Sequence, residues 1–424
     1  MENCKMKLIN NNLSKQNKKS SKLVILMTII TVIPLIITGC WDRNEPENRA
    51  FVLATGFDYD EDQDLYEITV QVADPTGIEG GNGLGGGGGN DGPNVGVMSA
   101  KGRTPYHAAK NLQLHMTREP FFTHNKLLII SEDLARRGIG PVLDYFDRER
   151  ETRLIAFPAI LPEEHDITQL FRTELPFETY IGEGIERQII LSVFERSVFP
   201  SRSLIESFNV LSMPGRETVI GKIDLGDQEE EDILGEEDVV RGTTRLEGGA
   251  VFKGDQMQGW FDIEETRGWF WIHGNVDNAI KVINCPVHDT HPISIEIFES
   301  ESHVNPIITE EGDYQIDIKI SADGRIQDQT CPQGYEEEGE LIDSIENRTA
   351  TAIKNEIKSS IERAHQHESD VFGFGNVFYR KKPDVWDGIK HEWQEEIFTD
   401  LAVNVDVEFE LRRAGLVTDP LIRD

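Results

Sequence analysis

Apolar and polar positions change character sharply along the first 72 residues. Residues 1–22 hold six lysines and a single acid, Glu2. Leu23 to Ile37 is apolar apart from Thr28 and Thr31, with Pro34 inside it. A charged segment followed by about 15 apolar residues has the layout of a secretory leader. It is short for a spanning helix, which needs about 20. Phe51 to Phe57 is apolar again, and Leu65 to Val72 alternates, with Tyr66, Ile68, Val70 and Val72 opposing Leu65, Glu67, Thr69 and Gln71. The acidic stretch Asp58 to Asp64 between them is a turn, so the pattern predicts a β-hairpin or a pair of neighbouring strands.

Helical spacing appears next. Thr104 as cap, Pro105 at the first position and Ala108, Leu112 and Met116 predict a helix. "NKLLIIS" and "RLIAFPAIL" predict buried strands, and "EDLARRGIGPVLDYFDRER" two short helices broken at Gly138–Pro141. Strands and helices alternate here, but the opening hairpin argues for a mixed sheet. Residues 176–209 predict helix with a break near Pro200. Residues 243–274 predict short strands with glycine turns, and residues 291–326 predict three antiparallel strands. Leu341, Ile345, Ile353, Ile357 and Ile361 make one apolar stripe of a long helix over about 340–366. Val403 to Leu411 predicts a closing strand. The fold class is α+β: three mixed or antiparallel sheet-plus-helix domains after a signal peptide. The expected divisions are a cleaved leader over 1–39, an N-terminal domain over 40–177, a middle domain over 178–280 and a C-terminal domain over 281–424.

Cysteine placement sharpens the leader. Cys40 follows Thr38 and Gly39, small residues that let a peptidase reach the backbone. The pattern is that of a bacterial lipobox, with diacylglycerol thioether-linked to Cys40 before cleavage and an N-acyl chain (palmitate or similar) added after. The alternative is an uncleaved N-terminal anchor. Both leave the remaining chain outside the cytoplasmic membrane. Cys4 leaves with the leader, so Cys285 and Cys331 remain. They are either a disulfide, free thiols or, with His288 and His291, metal ligands. "HDTHP" reads as a polar turn, and the spacing fits no structural zinc pattern. A disulfide closing a loop of about 45 residues contributes roughly 4 kcal/mol in the chain-entropy model.

Charge narrows the partners. The chain of 424 residues carries −34. The leader holds six positive charges against one negative, so the 385 residues from Cys40 onward are five charges more negative, at −39. That excludes nucleic acid, whose phosphates need Lys and Arg, and adhesion to anionic lipid by charge, so attachment falls to the acyl chains. The glycine-rich run over 77–92 has no Gly-Lys-Ser/Thr and does not lead directly into a helix, so it reads as a loop rather than a phosphate cradle. "DQEEEDILGEED" lacks the calcium-loop layout. No Gly-x-Ser-x-Gly or His-Glu-x-x-His is present. No catalytic residue, metal or non-covalent cofactor is assigned. His124 reads as a capping or hydrogen-bonding residue, and Glu264, Glu265 and Arg267 as an ion-pair network fixing a turn. Two aromatic groups, one holding Trp269 and the other Trp386, are either hydrophobic core or an exposed patch for protein partners.

Taken in order, several stretches resemble the Ger(x)C family, the C subunits of spore germinant receptors. They are Cys40-Trp41-Asp42 with Arg43 and Glu45, "ATGFDYD", "YEITVQVADP", "SAKGRTPYHAAKNLQLHMTREPFFTHNKLLIISEDLARRGI", "GGAVFKGDQMQGWFDIEETRGWFWIHG" and "SDVFGFGNVFYRKKPDVW" with "HEW". The resemblance implies three α+β domains and a lipid tether on the outer face of the spore's inner membrane. It also implies two polytopic partner subunits and a role in nutrient-triggered ion and dipicolinate release. The family is not marked by a cysteine pair, so a Cys285–Cys331 bridge rests on this sequence alone. The rival readings are a ligand-binding lipoprotein of a transporter and a cell-wall hydrolase. Direct nutrient binding is left open.

Overall fold

The structure, a computed structural model, describes residues 26–29, 48–73, 95–173, 175, 177–193, 197–226, 243–330 and 339–412. The lipobox, the glycine-rich run over 77–92, the acidic run over 227–238 and Cys331 lie outside the described residues. Among those described, no helix is long and apolar enough to cross a membrane. The described residues from Ala50 onward make one compact unit.

A nine-stranded mixed sheet dominates the first half. Its strands are β1 (Arg49–Asp60), β2 (Leu65–Ala73), β3 (Val95–Gly102), β4 (Glu119–Phe121), β5 (Leu127–Ser131), β6 (Phe157–Leu161), β7 (Val219–Leu225), β8 (Thr244–Lys253) and β9 (Gln256–Phe261). The order is β3-β2-β1-β5-β6-β7-β8-β9, with β4 beside β1. The middle is parallel, from β1 through β5 and β6 to β7, and both flanks are antiparallel. The opening hairpin is present as expected, with Phe57 opposite Ile68.

The run "LLII" in β5 shows why this sheet is covered on both sides. Leu128 and Ile130 enter one apolar core and Leu127 and Ile129 the other, all fully buried. A continuous apolar run is what a parallel strand between two helical layers requires. One layer holds α1 (Pro105–Leu112), α2 (Glu132–Arg137), α3 (Gly140–Arg148) and α6 (Leu204–Leu211). The other holds α4 (Ile167–Arg172) and α5 (Ile181–Val193). Thr104 caps α1 with Pro105 at its start, as the sequence predicts.

The second sheet is β10 (Ala279–Asn284), β11 (Pro292–Ile308), β12 (Tyr314–Gln329) and β13 (Ala402–Leu411), in that order. Here the structure corrects the strand count: residues 292–329 form one long hairpin of two strands, not three. β13 returns parallel to β12. The 28-residue helix α8 (Gly339–Gln366) matches the expected one and lays Leu341, Ile345, Ile353, Ile357 and Ile361 in the core.

A second correction concerns Ile263–His273. It is a helix, α7, not a strand. Asp262 and Glu265 form a capping box that satisfies the first-turn N–H groups, and Gly274, at φ 66°, ends the helix in the left-handed conformation. The boundary expected near residue 177 falls inside the first sheet, since β6 before it and β7 after it are hydrogen-bonded neighbours.

Candidate functional site

The two later signature stretches, residues 248–274 and 369–393, meet at a buried junction. Its first part joins α7 to α8. Gly268 lies so close to α8 that an added Cβ would sit 2.2 Å from the carbonyl oxygen of Glu356 and 2.7 Å from Ser360 Cβ. Beside that contact Glu356, 2% exposed, accepts from Lys281 Nζ at 2.6 Å, Arg267 Nε at 2.8 Å and Trp271 Nε1 at 3.0 Å. Two cations and an indole N–H thus satisfy a carboxylate that would otherwise be costly to bury. One turn away, Glu265 accepts from Arg363 Nε at 2.9 Å. The acids and arginine expected to fix a turn therefore split their pairing: Glu265 and Arg267 each reach across to α8, not to each other.

The second part is the loop after α8. Asp370 is fully buried. One carboxylate oxygen accepts the N–H groups of Gly373 and Phe374, each at 2.9 Å. The other accepts Gly375 N–H at 2.7 Å and Trp393 Nε1 at 3.0 Å. Asp370 therefore caps helix α9 (Phe374–Lys381), which is followed by α10 (Pro383–Ile389). The loop backbone also locks to the first sheet's side: Glu217 N–H donates to Asp370 O and Asn376 N–H to Gly215 O, each at 2.9 Å. Ser369 Oγ donates to Phe252 O. Glu217 returns the contact, accepting Gly254 N–H at 2.7 Å and Gln394 Nε2 at 3.2 Å.

Electrostatics follow from this burial. Burial pushes Asp370 up to about 6, against the opposing pull of its hydrogen bonds from Gly375, Phe374, Trp393 and Gly373. Burial likewise raises Glu217 to about 7. His273 is held well below its ordinary value by burial and by Arg216 and Arg202. Its Nδ1 faces Trp269 O at 2.8 Å, so that nitrogen carries the proton, and Nε2 accepts from Arg216 Nη2 at 2.8 Å. Chemically the cluster is a clamp: the acceptor positions of Asp370 are filled by fixed donors.

Of the two readings of Trp269 and Trp386, core or exposed patch, burial favours the first. Both are core: Trp269 is 2% exposed and Trp386 5%. Trp269 donates Nε1–H to Val371 O at 3.0 Å and lies under the Arg202 guanidinium, 4.7 Å from its ring centre. Trp386 packs edge-on against Trp393 at 5.6 Å. Large indoles gain most from burial when their N–H finds an acceptor, as that of Trp269 does. Cys285 is fully buried and disulfide-bonded, with its N–H on His291 O at 2.8 Å across the polar turn. Cys40 and Cys331 lie outside the described residues.

His124 packs edge-on against Phe51 and Phe121, at 5.2 and 5.9 Å, and caps no helix. Beside it Lys126 pairs with Glu186 at 3.0 Å. Among the described residues one group of potential metal ligands converges, Glu164, His165 and Asp224. Burial raises Asp224, but hydrogen bonds from Lys222 and His165 outweigh it and hold the carboxyl below its ordinary value. Lys222 Nζ lies 2.9 Å from Asp224, so an ammonium already serves as the local cation.

Sequence reasoning missed Asp370, Glu356 and Arg216. An Asp three residues before "GFG" was the readable signal for Asp370, since a short acid ahead of a helix start is a cap. Glu356 sits mid-helix in α8 and carries no such mark.

Comparison with known proteins places these elements in context. The family described as "Spore germination protein N-terminal domain" matches residues 42–225, and that described as "Spore germination B3/ GerAC like, C-terminal" matches residues 247–415. Spore germination protein KC of Bacillus subtilis (strain 168) is 24% identical over 405 residues, covering 94% of this chain and 97% of its own. The putative spore germination protein YfkR of the same organism is 26% identical over 400 residues, covering 93% and 98%. The crystal structure of the GerBC protein superimposes with a TM-score of 0.50 at 17% identity, covering 85% of this chain and 98% of that one. The fold is shared at that level.

Two measurements check the clamp. Gly268→Ala is expected to lower the unfolding free energy by about 3 kcal/mol or more, because the new methyl meets backbone. Gly388→Ala, where a Cβ has open space, is expected to stay within about 1 kcal/mol of wild type. Denaturant unfolding of both variants reads the difference. The second measurement concerns pH. A carboxyl raised in the folded state contributes stability at low pH that is lost as pH rises from the unfolded value through the folded one. For Asp370 that window runs from 3.8 to about 6. The stability gap between wild type and Asp370→Asn is therefore expected to shrink by about 1–2 kcal/mol from pH 5 to pH 7.5. A gap that widens instead would mean the four donors outweigh burial.

Proposed function

The chain belongs to the GerAC-like spore germination family, and from that premise we propose that it is a lipid-anchored, non-enzymatic subunit of a nutrient germinant receptor. In this reading it assembles with two polytopic subunits and couples nutrient sensing to the onset of germination. The observation that carries the reading is the pair of family matches spanning residues 42–225 and 247–415 behind a leader that ends at Cys40. Two further observations support it. The net charge of −34 opposes adsorption to anionic lipid, so a covalent anchor is the physical means of holding such a chain at a membrane. The carboxylates buried at the junction are engaged by structural donors, which suits a rigid coupling element better than acid–base chemistry.

Diacylglycerol and an N-acyl chain on Cys40 would supply the two acyl signals that stable anchoring needs. The anchored face would be the outer surface of the spore's inner membrane. A Cys285–Cys331 disulfide is proposed as the staple for the C-terminal sheet. It would tie the strand-adjacent turn after β10 to the segment just before α8.

The test is genetic and chemical together. In the spore-forming host, deletion of the gene is expected to abolish or delay nutrient-triggered dipicolinate release. Wild type is expected to restore it and Cys40→Ala to restore it poorly, while mass spectrometry finds the lipid only on wild type. Full restoration by an unlipidated Cys40→Ala protein would remove the tether from the reading.

A further inference from the structure

A cleft of about 580 Å³ opens on the helical layer over β2, between the start of α1 and the side of α3. Its lining shares no residue with the junction. Tyr66, Tyr106 and Tyr145 supply aromatic walls, and Pro141 adds apolar surface. The rings of Tyr106 and Tyr145 are 6.4 Å apart and tilted by 54°, so the walls converge. The volume falls in the range of small-molecule sites, about 300–1,000 Å³.

Three features give the cleft a polarity. Arg103 lines it, is exposed, and among the described residues its guanidinium has no partner. Thr104 caps α1 by accepting from His107 N–H at 3.1 Å, which leaves the first-turn N–H of Tyr106 without an acceptor among the described residues. No acidic residue occupies that first turn. The third feature is Tyr145. It is 6% exposed, lines the cleft, and its hydroxyl has no hydrogen-bond partner among the described residues. Its hydroxyl oxygen reaches solvent, so it is open to an acceptor entering the cleft. Burial and the neighbouring Glu149 and Glu151 push the Tyr145 hydroxyl up, so it stays an O–H donor. Of the other charges at the rim, Arg148 pairs with Asp144 at 2.8 Å, and Glu149 lines the cleft as well.

We propose that this cleft binds a small organic acid carrying a flat ring. The carboxylate would sit between Arg103 and the start of α1 and accept from the Tyr145 hydroxyl, and the ring would lie between the tyrosine walls. A guanidinium next to helix N–H groups suits a planar carboxylate, and aromatic walls suit a ring. The inference does not depend on the proposed receptor role.

The experiment is a titration of the purified full chain, in detergent, with phenylacetate and with benzylamine, read by saturation-transfer NMR and calorimetry. Phenylacetate is expected to bind and benzylamine, the same ring with opposite charge, not to. Arg103→Ala is expected to weaken phenylacetate at least tenfold, and Tyr106→Ala, at an exposed position that leaves the core intact, to weaken it similarly. Tyr145→Phe, which removes only the hydroxyl, is expected to weaken it about threefold to tenfold. No binding of phenylacetate to wild type would overturn the proposal. So would benzylamine binding as well as phenylacetate, or full affinity in a folded Arg103→Ala protein.

Discussion

The buried carboxylate of Asp370 is the constraint around which the C-terminal half is arranged. It reaches three consecutive backbone N–H groups and the indole of Trp393. The three backbone donors lie where the loop after α8 enters α9, a segment holding Gly373 at φ 75° and Gly375, and only glycines fit at those two positions. Gly373 adopts a left-handed conformation, and a Cβ on Gly375 would lie 2.6 Å from Trp393 Nε1. Once the loop is fixed, its backbone presents Asp370 O and Asn376 N–H to residues 215–217 beside β7. The loop after α8 is thereby held against the first sheet's side through backbone hydrogen bonds.

Packing of α7 depends on the same region. Trp269 spans the two parts, donating to Val371 next to Asp370 while its face lies under Arg202. Gly268 permits α7 to touch α8, and Glu356 then binds residues from α7 and β10 together. Val219, Val251 and Phe261 of the first sheet belong to the same apolar core as the strands of the second. Polar clamp and apolar core therefore join the two family-matched stretches, 42–225 and 247–415, into one body. A rigid body of this kind transmits displacement better than two loosely linked domains would.

Much of this architecture was legible where local signals agreed. The hairpin of β1 and β2, the capped start of α1, the apolar run of β5 and the stripe of α8 each follow from a period or a cap. Residues 263–273 read as strand because "WFWI" (Trp269 to Ile272) has strand-forming residues at every position. The Asp262–Glu265 capping box, a helix signal of comparable strength, stood just ahead of it. In the long hairpin of β11 and β12, Pro306 and the polar run of residues 299–303 resemble a break in sequence, yet Pro306 sits within β11 opposite Ile316. Trp269 and Trp386 show the limit for the site. Composition cannot separate an aromatic in a core from one on a partner surface, since the same side chain serves both. Glu356 and Arg216 were out of reach because their partners are distant in the chain.

The central claim is that the Asp370 clamp and the shared core make one cooperative body of two sheets. Native-state amide hydrogen exchange across residues 50–412 tests this most directly. Protected amides in β5 and β6 and those in β11 and β12 are expected to open with the same free energy and the same denaturant dependence. The Gly373, Phe374 and Gly375 amides are expected to exchange only with them. Two separate opening free energies, one for each sheet, or early exchange of the three Asp370-bound amides, would contradict it.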